Sequence, residues 1–485
     1  MSESLKIKTV RGVVWSSVER YSVKFIHFLV TIVLARILTP EDFGLIGMLT
    51  VFIVLAESLI NSGFSQALIR KQDRNDVDNN TVFYFNIVSS LFVYLILFFS
   101  APLVAIFFHE PRLVDLMRVL CLIVIIDSFS IVPVALYSAS VNFKIQAKAT
   151  TLAAILSGII GIIFAFRGFG VWALIIQQLL SSLINSLLLC FFSEWRPKFI
   201  FSIKSFKELY FFGVNLMFVG IIDTLYQYSY QIFIGRFYKA SSLGHYTQAY
   251  LFSGVFSSTL SVILGRVTYP IMSSIQNDNA RLYRAYSQSA RIIAFGVFPV
   301  MCGMAAVANP MIEVLIGSQW HFAAILIVPL SFSFMFHPIH VINMNILQVK
   351  GKSKLYLKSE IIKKAISIAI LVGTIPFGIV IMCYGRIVAS VLTLLVNMFF
   401  TSKQVEVSLC SLIKDLMPFL GLAFTMFGIV FLVITVIGNV YCQLGVGIIL
   451  GILLYLGGAY LLKIRELDYI FLLTKKLNYG IKSFY

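Results

Sequence analysis

The sequence predicts an all-α polytopic membrane protein: about 14 transmembrane helices, forming two pseudo-symmetric six-helix lobes and a C-terminal helix pair. Three observations lead there. Of its 485 residues, 59% are apolar and 12% charged, and apolar runs of the roughly 20 residues that span a bilayer as helix recur to the end of the chain. The residue-by-residue alternation of an outer-membrane barrel is absent. A polar pattern in the first run and its following turn returns in the second half. The cationic residues fall mostly on one side of the spans.

The first run, Val13 to Leu38, carries Arg20, Lys24, His27 and Thr31 at spacings of four, three and four, which is one face of a helix. It is too long and too polar for a cleaved leader. The turn LARILTPEDFG follows, Leu34 to Gly44. Arg36 and Gly44 reappear as Arg236 and Gly244, and the positions 24, 27 and 31 as Thr224, Gln227 and Gln231. Phe52 meets Phe252, and Gly12-Val13 meets Gly213-Val214 with a one-residue slip. The spans lie near 12–35, 43–66, 82–108, 113–140, 150–166, 171–192, 209–234, 245–270, 289–316, 323–348, 362–384, 387–402, 416–437 and 440–462. They divide into an N-terminal lobe (1–192), a cytoplasmic linker (193–208), a C-terminal lobe (209–402) and a last helix pair with its tail (403–485). The linker is basic and carries Pro197, and Ser205–Leu209 echoes Ser4-Leu5-Lys6 as an amphipathic approach on the inner surface. Both halves start and end on the same side, so the repeat is parallel.

The net charge of +17 is topological rather than a sign of nucleic acid. Of the 38 Lys and Arg, 25 fall in the inside segments and six outside (Arg36, Arg112, Arg167, Arg236, Lys239 and Arg386), which puts both termini in the cytoplasm. The six cysteines stand singly, with no spacing that suits a disulfide or a metal. No nucleotide fingerprint or nucleophile elbow occurs, and the outside loops are too short to fold as a catalytic domain. The expectation is a protein that is not an enzyme, with no cofactor and no metal.

Ionisable groups at membrane depth cost several kcal/mol unless they face water or a partner. The predicted cavity set is therefore Arg20, Lys24, His27, Glu57, Arg118, Asp127, Asp223, Gln227, Arg266 and His337. Such a net cationic cavity suits phosphate or acidic sugars. The competing reading is internal pairing, Arg20 with Glu19 or Glu57 and Arg118 with Asp127. Arg266, Arg291, Lys363 and Lys364 are read as snorkelling from span ends. His337-Pro338 reads as a proline-kinked polar helix.

At LARILTPEDFGLIGM, Leu34 to Met48, the chain resembles the polysaccharide transporter family of the MOP flippase superfamily, Wzx-type exporters of the colanic-acid class above all. The resemblance implies a flippase that moves an undecaprenyl-pyrophosphate-linked oligosaccharide repeat unit across the bacterial cytoplasmic (inner) membrane by alternating access. Its product would feed lipopolysaccharide O-antigen, capsule or exopolysaccharide. It implies membrane lipids, a polysaccharide polymerase and chain-length proteins as partners, and no nucleic acid. The last helix pair is similar to that of the lipid II flippases, whose functional arginines have Arg20 or Lys24 and Arg266 as nearest matches. A lipid II flippase for peptidoglycan and a MATE-like cation or drug antiporter are the alternatives; the cationic first helix weighs against the antiporter.

Overall fold

The computed structural model describes residues 22–61, 64–71, 73–140 and 142–467, and leaves out the side chains of 61, 211–213, 215–216, 262–264 and 266–267. Among the described residues there is no strand. Among the described residues, nine helical stretches are long and apolar enough to cross a membrane, or ten counting one bent pair, and the protein is a multi-pass membrane protein. The chain forms two compact units, Met1–Thr247 and Gln248–Tyr485.

In the first unit, α1 (22–37) leads into α2 (Pro40–Asn61). The Leu-Thr-Pro-Glu-Asp-Phe-Gly turn has a physical reason at almost every position. Thr39 Oγ1 accepts from the Asp42 N–H (3.3 Å) and Asp42 Oδ2 accepts from the Thr39 N–H (3.0 Å), a reciprocal cap. Pro40 takes the first helical position, where no N–H is needed. Glu41 and Asp42 complement the positive end of the helix.

A short α3 (Phe64–Arg70) precedes α4 (Asp76–Phe108), which opens on the capping box of Asn75 and Asp78 and ends at His109 in the left-handed conformation (φ 57°). The span expected at 113–140 is broken into α5 (Leu113–Leu120), α6 (Leu122–Ser128) and α7 (Ile131–Ala139), with a 43° bend before α7. Pro133 explains the bend. It cannot donate to the Phe129 carbonyl, which takes the Cys190 thiol instead (3.4 Å). The hairpin of α8 (Phe143–Phe166) and α9 (Val171–Phe192) follows.

The linker is pinned to the start of α4 by two hydrogen bonds, Lys198 N–H to Asn80 Oδ1 (2.6 Å) and Ser202 N–H to Thr81 Oγ1 (3.0 Å). Lys71 pairs with Asp78 (3.1 Å) and Glu208 (3.0 Å). Desolvation works to lower the Lys71 pKa, but these two carboxylates outweigh it and hold the value above the ordinary one. Ser205–Leu209 does not lie on the surface as a separate segment. It forms the first turns of α10 (Ile203–Gln227), because Ser202 caps that helix directly. A break at Tyr228 leads to α11 (Ser229–Phe237) and then α12 (Ala240–Ser274), within which the boundary between the units falls.

The second unit continues with α13 (Asn279–Ala306), α14 (Ala308–Ile316), α15 (His321–Phe334) and α16 (His337–Val349). Then come α17 (Ser353–Thr374), α18 (Ile379–Val405), the short α19 (Leu409–Lys414), α20 (Met417–Val436) and α21 (Val440–Leu461). Its core of Phe298, Met301, Phe336, Ile339, Met398, Phe419 and Met426 draws on α13, the bend before α16, α16, α18 and α20. Arg291 does not snorkel: it bonds Glu466 (2.6 Å), lies 3.9 Å from Asp415 and stacks on Phe419.

Candidate functional site

Each unit holds a polar cluster at membrane depth. In the first, Glu57 lies on the last turns of α2 and Asp127 at the end of α6, both half-buried and close enough that the Asp127 charge acts on Glu57. Asp127 also accepts a hydrogen bond from Ser182 on α9. Beside Glu57, Ser58 meets Thr224 of α10 (3.1 Å). Arg118 does not pair with Asp127. Its guanidinium stacks over Phe98 (4.5 Å), and its Nε has no protein acceptor.

The remaining predicted positions in this unit are more scattered. Lys24 is exposed and His27 half-buried on α1; Asp223 is half-buried and Gln227 exposed near the end of α10. Arg20 lies outside the described residues. So does the side chain of Arg266, whose backbone belongs to α12.

In the second unit the site is built by a broken helix. Pro338 has no N–H for the Phe334 carbonyl, and α15 and α16 separate there. The two carbonyls this frees are taken by hydroxyls: Ser257 Oγ donates to Phe334 O (2.7 Å) and Ser390 Oγ to Ser333 O (2.9 Å). The break turns His337 toward α12, where Ser261 Oγ lies 2.8 Å from Nδ1. His337 is exposed. One turn on, His340 Nδ1 lies 2.9 Å from Asn397 of α18.

Two cations complete this cluster, and sequence reasoning placed both elsewhere. The sequence puts Arg386 in an outside turn, but the break between α17 and α18 lies at Ile375–Phe377, and Gly378 (φ 98°) precedes α18. Arg386 therefore lies two turns inside a helix, stacked over Tyr250 (4.9 Å) and Phe334 (5.2 Å). Lys363 does not snorkel either. Its side chain is 12% exposed, it pairs with Glu360, and it lies 3.5 Å from the Met344 sulfur. The charges of Arg386 and Lys363 both act on His337.

A third polar group in the first unit surrounds the approach of α2 to α12. Gly44 of α2 and Gly244 of α12 sit at repeat-related positions and contact each other's helix reciprocally. A Cβ on Gly44 would fall 1.8 Å from the Ala240 carbonyl oxygen, and one on Gly244 1.7 Å from that of Pro40. Only glycine permits that approach. Around it, Arg112 bonds Glu41 and Glu110, which hold its pKa above the ordinary value, and Arg236 donates to the ring of His109 (2.6 Å to Nδ1). A cavity of about 750 Å³ lies among Glu41, His109, Glu110, Arg236 and Lys239.

A family model described as polysaccharide biosynthesis protein matches residues 33–325. The chain belongs to the polysaccharide biosynthesis protein family. It is 28% identical over 325 residues to the succinoglycan biosynthesis transport protein ExoT of Rhizobium meliloti (strain 1021), covering 67% of this chain and 66% of ExoT. It is 25% identical over 324 residues to the lipopolysaccharide biosynthesis protein WzxC of Escherichia coli (strain K12), covering 66% and 65%. The matches span just under two thirds of the length of these curated relatives. Among solved structures, the lipid II flippase MurJ in its inward closed conformation matches with a TM-score of 0.75 at 15% identity, over 93% of this chain and 98% of that one. The chain thus shares the fold of that structure.

Proposed function

We propose that this chain is a flippase for a polyprenyl-pyrophosphate-linked oligosaccharide, exporting a repeat unit across the bacterial cytoplasmic membrane for surface polysaccharide synthesis. The observation that carries the reading is the cationic interior of the second unit, in a chain of the polysaccharide biosynthesis family. The charges of Arg386 and Lys363 act on His337 and that of Lys363 on His340, while Glu360 pairs with Lys363. Arginine and lysine at depth suit a diphosphate, which needs charge-assisted hydrogen bonds to leave water. A polar oligosaccharide cannot cross hydrocarbon unaided, and a hydrated path with alternating access supplies the route.

In this reading about 14 helices form lobes 1–192 and 209–402, joined by the linker 193–208, with 403–485 as accessory helices and tail. Both termini are cytoplasmic in this reading, which the bias of Lys and Arg toward one set of loops supports. The Gly44–Gly244 contact then closes the outer end of the path, and transport has to open it. Lys24, His27 and Arg20 belong to the first helix, which would flank the path. A polymerase and chain-length proteins would take up the product.

The test is a lipid profile by thin-layer chromatography and mass spectrometry from a strain lacking the gene. The expected result is build-up of a polyprenyl-pyrophosphate oligosaccharide, cleared by the wild-type gene and not by Arg386→Ala with Lys363→Ala. Accumulation of lipid II would move the substrate to peptidoglycan precursor. Unchanged lipids with greater sensitivity to cationic drugs would sink the flippase reading.

A further inference from the structure

A furrow on the second unit, away from the cationic interior, combines two properties that belong together in one class of ligand. It runs between α17 and α18 and encloses about 660 Å³. Leu355, Ile362 and Ile366 line it on one side, spaced to share a face of α17, and Leu392 and Phe399 line it on the other. At one end stand Lys358, near the start of α17, and Lys403, near the end of α18, with Gln404 beside them. Because the helices run antiparallel, both lysines reach the same end.

The Lys403 ammonium lies 4.3 Å from the centre of the Phe399 ring. Both lysines are exposed, and neither has a carboxylate partner among the described residues. No acidic side chain lines the furrow. Nearby Glu360 is turned to Lys363. From Leu355 to Ile366 the apolar wall is about 17 Å long at 1.5 Å per residue. That is roughly the depth of one leaflet, about half of a 30 Å hydrocarbon core.

We infer that this furrow binds an anionic phospholipid of the inner leaflet, its phosphate on Lys358 and Lys403 and an acyl chain along Ile362, Ile366 and Phe399. Basic pockets between transmembrane helices on the cytoplasmic side are where anionic headgroups bind. The length argues for a lipid that resides in one leaflet rather than for the transported carrier, which must cross both. The leaflet rests on the orientation proposed above; the headgroup preference does not.

The experiment uses the full chain in nanodiscs, with native mass spectrometry counting the lipid retained from mixtures of phosphatidylglycerol and phosphatidylcholine. Wild type is expected to retain phosphatidylglycerol by about thirtyfold over phosphatidylcholine, from two lysines near the surface. Lys358→Ala with Lys403→Ala should bring the two lipids to parity, and Lys358→Arg with Lys403→Arg should keep the preference. Thermal melting in detergent shows whether each variant is folded. Equal retention by wild type, or a preference that survives the double alanine change, overturns the inference. So does displacement of phosphatidylglycerol by equimolar polyprenyl phosphate, which would make the furrow a carrier site. None of these readings depends on transport, so they leave the proposed function standing or falling on its own lipid profile.

Discussion

At membrane depth the two units gather different groups, although the first also holds Arg118 over Phe98 and the second Glu360 on Lys363. In the first, the groups brought together at depth are carboxylates with hydroxyls, Glu57 and Asp127 with Ser182. In the second they are cations and imidazoles with amides and hydroxyls, Arg386, Lys363, His337 and His340 with Asn397 and Ser261. Yet the sequence repeat that starts each half is alike, and its two glycines pack against each other as equals. A duplicated scaffold can thus keep its symmetric contact while its interior positions diverge. The basic side suits an anionic substrate. The acidic side suits a proton or metal cation that could couple transport to a gradient.

The largest effect is expected where the halves are alike. Gly244→Leu puts a side chain where the Pro40 carbonyl lies 1.7 Å from an ideal Cβ, so the two helix ends must part. Flipping should fall below about a hundredth of wild type, a loss of more than roughly 2.8 kcal/mol in transition-state terms. The protein should still purify as a monodisperse species. Normal complementation by this variant would show that the contact is not part of the transport cycle.

Next in size is the basic cluster. Arg386→Ala removes a guanidinium held by two aromatic faces, and a charge-assisted bond to phosphate is worth roughly 1.5–3 kcal/mol. Flipping should drop roughly tenfold to a hundredfold, with Arg386→Lys intermediate because a point charge replaces a fork. The matching change on the acidic side is Glu57→Gln with Asp127→Asn and Asp223→Asn. These carboxamides keep size and hydrogen bonding, so the protein should fold. Flipping driven by an imposed gradient should fall to the rate seen with the gradient dissipated. A triple variant that responds to the gradient like wild type would reduce the acidic cluster to a structural feature and end the division of roles.

How much of this was legible follows from what each feature depends on. Hydrophobic period and run length depend only on local sequence, so the polytopic helical class was readable. So was the Thr39–Gly44 turn, whose capping residues act on their neighbours. Glu57, Asp127 and His337 were flagged because a polar group in an apolar run is visible without a partner. Arg386 was misplaced because Tyr384-Gly385-Arg386 looks like a polar break. In the fold, Gly385 instead lets α18 approach Thr374 of α17, where a Cβ would meet a methyl at 2.9 Å. The true turn is two residues past Pro376, at Gly378. Lys363 was read as interfacial because its depth depends on where α17 starts, ten residues earlier. Ser257 carries no signal in the sequence, since hydroxyls in apolar helices usually bond their own backbone, as Ser261 does to the Ser257 carbonyl, whereas Ser257 answers a proline on a different helix.

That last relation gives the smallest and sharpest prediction. Ser257→Ala removes the donor to the Phe334 carbonyl, a buried acceptor that Pro338 has already deprived of its helical partner. The expected cost is about 1 kcal/mol, read as a lower melting temperature in detergent. Pro338→Ala restores an N–H at the position that faces this carbonyl, so a helix closing through residues 334–338 would satisfy it without Ser257. The double variant should therefore be less destabilised than the sum of the two singles, by about 1 kcal/mol of coupling. Additive effects would mean the serine and the proline act independently. The same straightening would swing His337 away from Ser261, so Pro338→Ala should weaken flipping even where it leaves stability intact. A stable, poorly active Pro338→Ala protein would tie the break in this helix to the placement of the basic cluster, the feature that most distinguishes the second unit from the first.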